Sequence, residues 1–116
     1  VVKITCLGDI MVNRDRILDE FIRLVKIDSP TMYEREIADY LKGKLIENGL
    51  EVYEDKAGDA IGTEWGNPAG NLIASLKGTV TEAPVILLCA HMDTVEPGRG
   101  VNPVIRDGAV YSDGTT

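Results

Sequence analysis

Val85-Ile86-Leu87-Leu88-Cys89-Ala90-His91-Met92-Asp93-Thr94-Val95 is the stretch that decides how this 116-residue chain reads. Val85 to Ala90 form its longest apolar run, introduced by Pro84. A strand that is apolar on both faces belongs in the middle of a sheet covered on each side, as in α/β proteins. Polar chemistry starts where the run stops, and in open α/β sheets ligands gather at the carboxyl ends of the strands. His91 is the only histidine, and Asp93 follows two residues later. In extended chain that spacing sets both side chains on one face. An imidazole beside a carboxylate can bind a metal through one ring nitrogen while the other donates to the carboxylate. His-x-Asp is also a common surface pair, so the pair alone does not define a site.

Upstream of this run the hydrophobic period is helical. Ile17, Phe21, Leu24 and Val25 fall at i, i+4, i+7, i+8, which predicts a helix over 13–27 with one buried face and Asn13 as N-cap. Ser29-Pro30 ends it, because proline disfavours helical geometry in the residue before it. Thr31 with Glu34 three residues on has the form of a capping box. Ile37, Ala38, Leu41 and Leu45 then carry a second helix over 32–48, closed by Gly49. An edge strand is expected at 50–53 and another strand at 71–77, with an irregular connection and a turn near Trp65 between them. Downstream, Asp107-Gly108 between Val104-Ile105-Arg106 and Ala109-Val110-Tyr111 is a hairpin signal. Helices feeding a covered sheet make the fold class α/β.

Composition narrows the function. At 44% hydrophobic and 27% charged residues, the chain fits one ordinary globular domain. The net charge is −7 and the basic residues are scattered, which argues against nucleic acid as a partner. The longest apolar run is far short of the roughly 20 residues that span a bilayer, so no membrane helix is expected. The start of the chain lacks the continuous apolar centre of a secretory signal. Cys89, inside the apolar run, reads as a small buried hydrophobe. With Cys6 it is taken as one of two free thiols, which suggests a cytoplasmic protein.

The ordered set His91-Met92-Asp93-Thr94-Val95, then Pro97-Gly98-Arg99-Gly100, then the Asp107-Gly108 hairpin resembles the co-catalytic zinc exopeptidases. These are the peptidase T-like tripeptide aminopeptidases, the related carboxypeptidases and the aminoacylases. Gly70-Asn71-Leu72-Ile73-Ala74 is similar to the family strand before the histidine, and Tyr111 to Thr116 to the approach to its next metal motif. The resemblance implies the N-terminal part, 11–116, of a three-layer α/β/α catalytic domain with its sheet incomplete. It further implies that His91 ligates one of two zinc ions and that Asp93 has the catalytic task of fixing the imidazole. The bridging aspartate, the Glu pair and the second histidine of the family have no counterpart here. Asp113 aligns with the lead-in to the bridging aspartate and not with that ligand. Catalytic zinc takes three protein ligands and an open position, so one histidine falls short and the fragment itself is expected to be inactive.

The implied activity of the whole protein is hydrolysis of small peptides, in particular removal of an amino-terminal residue from tripeptides. N-acyl amino acid deacylation is a related alternative. A rival of another class is a non-catalytic module that associates through an exposed sheet edge, and a homo-oligomer stays open. Residues 1–10 match nothing in the family and form an extra N-terminal segment. Met11 reads as a natural start, which leaves an upstream read-through, a cloning remnant or a real extra strand. Gly62, Gly66 and Gly70 lack the ending of a phosphate loop and read as connection chemistry. Tyr33, Tyr40 and Trp65 are too dispersed for a stacking platform. Glu34, Glu36, Asp39 and Glu47 read as a solvated helix face, and Ser29 as turn and cap chemistry.

Overall fold

The first helix, α1 (Arg14–Val25), starts where Asn13 turns the chain into extended geometry and its side chain accepts from the Arg16 amide at 2.9 Å. That is the expected N-cap. The structure, a computed structural model, describes residues 13–80 and 82–115, so the extra segment 1–10 and Cys6 lie outside the described residues. After α1 come α2 (Arg35–Glu47), β1 (Glu51–Glu54), α3 (Ala57–Ile61), a 3₁₀ turn (Thr63–Trp65), β2 (Leu72–Ser75), β3 (Pro103–Arg106) and β4 (Ala109–Ser112). Helix α2 stops through Gly49 at φ 81°, with the Gly49 amide on the Ile46 carbonyl and the Leu50 amide on the Leu45 carbonyl. This paired closure suits a residue without a Cβ. Its start differs from the expectation: the helix begins at Arg35, and Glu34 is the N-cap residue with no side-chain cap. Glu34 instead accepts from the Met32 amide, and Met32 sits at φ 74°.

Strands β1 and β2 pair antiparallel, Val52 opposite Ala74, and β3 pairs antiparallel with β4, Val104 opposite Tyr111. Asp107 and Gly108 both have positive φ, as a two-residue hairpin turn demands. The α/β class therefore holds, with helices beside two small two-stranded sheets. Ile37, Ala38 and Ser29 are buried where α2 meets the β1–β2 pair and the 28–33 loop.

Three expectations need correction. The 85–90 run forms no strand, and Val85 to Leu88 are 81–97% exposed. Apolarity creates the need for cover, but a strand exists only where a neighbouring backbone supplies hydrogen bonds. Among the described residues, the four strands pair two by two, β1 with β2 and β3 with β4, and the one bridge near the run is Pro30 with Thr94. Cys89 is accordingly exposed and a free thiol. Helix α1 has no buried residue: Ile17 and Phe21 are about half exposed, and Phe21 and Val25 line a shallow cavity with Val101, Pro103 and Val110. The radius of gyration, 17.8 Å, exceeds the roughly 13 Å of a compact chain of this length, consistent with an uncovered arm. Among the described residues no helix is long and apolar enough to cross a membrane.

Candidate active site

The two residues singled out from the sequence meet in the structure. His91 Nδ1 lies 2.8 Å from the Asp93 carbonyl oxygen and 3.2 Å from Asp93 Oδ1. With a proton on Nδ1 the ring donates to these oxygens, which leaves Nε2 with its lone pair on the outward side. The His91 side chain is 84% exposed, so nothing in the described chain covers that nitrogen. The other carboxylate oxygen, Asp93 Oδ2, accepts from the Thr31 hydroxyl at 2.7 Å. That hydrogen bond, ahead of the neighbouring imidazole, holds the Asp93 carboxyl below its ordinary range. The group therefore stays ionised and acceptor-only near neutrality.

Asp93 is reached by a loop from the other end of the chain. The Thr94 amide donates to the Ser29 carbonyl at 2.7 Å, beside the Pro30–Thr94 bridge. The Gly100 amide donates to Asp28 Oδ1 at 2.7 Å. The Arg99 guanidinium lies 4.8 Å from the centre of the Tyr33 ring and pairs with Glu96. Ser29, expected to be turn chemistry, is buried and works through its backbone. Thr31, expected to cap α2, spends its hydroxyl on Asp93. No sequence signal links Thr31 to a residue 62 positions away.

A second polar cluster is structural. Arg35 on α2 makes two bonds to Glu54 on β1, 2.6 and 3.1 Å, and the Gly70 amide adds a third at 3.2 Å. These contacts, Arg35 first, lower the Glu54 pKa to about 2. Asp55 accepts from the Ala57 amide and from both nitrogens of Asn71, which also lowers its pKa. Glu34, Asp39 and Glu47 make local contacts only, as a solvated face would. Asp113 bonds Asn102 and Thr115 beside its own hairpin and is not joined to His91.

Among the described residues, no three His, Cys, Asp or Glu side chains gather in a way that could hold a metal ion. His91 with Asp93 behind it fits one ligand position and its orienting partner, but the set does not fit a whole zinc shell.

This geometry defines an α/β segment that presents one oriented imidazole on a clamped turn. No protein-family model matches the chain. It is 49% identical over 106 residues to the uncharacterized protein YqjE of Bacillus subtilis, covering 91% of this chain and 27% of that protein. Among solved structures it is similar to aminopeptidase PepT from Bacillus cereus and to a tripeptidase from Staphylococcus aureus. Each likeness has a TM-score of 0.80, 42% identity, and covers 90% of this chain and 27% of the other. The chain is thus peptidase T-like in sequence and in fold, and it spans about a quarter of the length of these relatives.

Proposed function

We propose that the chain is the N-terminal part of the catalytic domain of a zinc-dependent exopeptidase acting on small peptides, with tripeptides cut at their amino end as the favoured substrates. The observation that carries this reading is the imidazole of His91, held through Nδ1 by Asp93 with Nε2 turned outward. The peptidase relatives add support at 42% identity. In this reading Nε2 is the metal donor and Asp93 fixes the orientation of the ring. Bound zinc would supply Lewis acidity and an activated water. The remaining ligands and the general base come from the rest of the protein, so the 116-residue chain alone binds zinc poorly and is inactive. The free thiol of Cys89 fits a cytoplasmic setting.

The test uses the full-length protein, with metal content and tripeptide hydrolysis measured together. His91→Ala removes one zinc and nearly all activity, because no neighbouring side chain offers an imidazole. Asp93→Asn keeps most of the zinc and lowers the rate about 10 to 100-fold, the usual cost of losing a partner behind a metal ligand. Near-parental rate and two metals in His91→Ala would reject the assignment. A second reading, a non-catalytic module associating through its unfinished sheet, is favoured by the exposure of Val85 to Leu88. That outcome would make it the better one.

A further inference from the structure

We propose that Thr31 is a positioning residue of this site: its hydroxyl fixes the Asp93 carboxylate, and the carboxylate in turn sets the tautomer and direction of the His91 ring. The proposal rests on the reading of His91 and Asp93 given above. A carboxylate has two oxygens, and here each has a separate task. Oδ1 and the Asp93 carbonyl face the ring, at 3.2 and 2.8 Å, while Oδ2 takes the Thr31 hydroxyl at 2.7 Å. A carboxylate tied at one oxygen cannot swing about its terminal bond without breaking a charge-assisted hydrogen bond, so the oxygen facing the ring is held in place.

The hydroxyl is well placed to do this because its own loop is fastened on two sides. Towards α2, the Met32 amide donates to Glu34 Oε1 at 2.7 Å and the Met32 carbonyl accepts from the Asn67 amide at 2.7 Å. The Arg35 amide returns to the Asn67 carbonyl at 3.1 Å. A Cβ on Gly66 would collide with that Met32 carbonyl, so the approach depends on glycine. Towards the His91 turn, Asp28, Ser29 and Tyr33 hold Gly100, Thr94 and Arg99. Thr31 lies in the middle of this clamp. A helix-capping task is excluded by geometry, since the N-cap of α2 is Glu34.

The test reads the ring directly. His91 is the only histidine in the chain, so the two ring nitrogens of a ¹⁵N-labelled sample are assigned without ambiguity. The ¹⁵N shifts of the two ring nitrogens report which of them carries the proton. The parent chain is expected to favour Nδ1–H. Thr31→Val keeps the shape, loses the hydroxyl and shifts the ring towards Nε2–H, whereas Thr31→Ser retains the parental pattern. Asp93→Asn shifts it as well. In the full-length protein, Thr31→Val should lower kcat about 10-fold, the low end for an outer contact, with KM within about twofold. Thr31→Ser should restore the rate.

Parental ring shifts in Thr31→Val beside altered shifts in Asp93→Asn would overturn the role of Thr31 and leave that of Asp93 standing. Unchanged shifts in both would overturn both. An equal loss in Thr31→Ser and Thr31→Val would overturn the role of the hydroxyl.

Discussion

The β1–β2 pair and the 84–90 run are both short extended segments, yet one is locked at its Glu54–Leu72 end and the other has no bound partner among the described residues. Around β1 and β2, Asp55 bonds Ala57 and Asn71, Glu54 bonds Arg35 and Gly70, and the two strands satisfy each other. The 84–90 run has the more apolar side chains and no ladder. Side-chain apolarity acts without direction, whereas backbone polar groups require particular partners at particular distances. Local polar locks therefore order a segment of modest hydrophobicity, and a richer segment stays bare without a neighbouring strand.

The contrast can be broken most easily at Gly70. A Cβ there would run into the Asp55 carbonyl, which is backbone and cannot rotate away. Gly70→Ala is expected to cost about 1 to 3 kcal/mol or more, the range for forced overpacking, read as a lowered urea midpoint. A midpoint equal to the parent's would mean that the β1–β2 lock is loose.

Next in size is the acid response. Glu54 has its pKa lowered from 4.5 to about 2, chiefly by Arg35. A carboxyl depressed on folding adds stability that is complete above about 4.5 and is lost as pH falls from there through about 2. The loss at Glu54 should be roughly 2 kcal/mol after allowance for solvent screening. Asp55, Asp93 and Asp113 are lowered too and act in the same direction, so the measurement is a difference. Urea midpoints from pH 7 to pH 2 should fall less steeply in Glu54→Gln than in the parent. Parallel curves would remove Glu54 from the account.

The smallest effect sharpens the other side. Leu87 is 87% exposed, so Leu87→Asp in the 116-residue chain should change stability by no more than about 0.5 kcal/mol. A loss near 2 kcal/mol would place the run in a core.

Features set by neighbours in sequence were legible. The Asn13 cap, the Gly49 closure and the Asp107-Gly108 turn depend on one to four residues, and the structure has all three. The juxtaposition of His91 with Asp93 was legible for the same reason, being two residues apart. What failed depended on distant cover: the burial of Ile17, Phe21, Val85 to Leu88 and Cys89 was inferred from side-chain character alone. Thr31 was misread because a local capping pattern and a distant carboxylate compete for the same hydroxyl, and sequence displays only the local competitor.

The bond between Thr31 and Asp93 also sets an order in time. The ribosome adds roughly 5 to 20 residues per second. Thr31 is therefore added about 3 to 12 s before Asp93, 62 residues later. The residues of α1, α2, β1 and β2 all precede Asp93 in the chain. The histidine turn thus reaches a loop made before it.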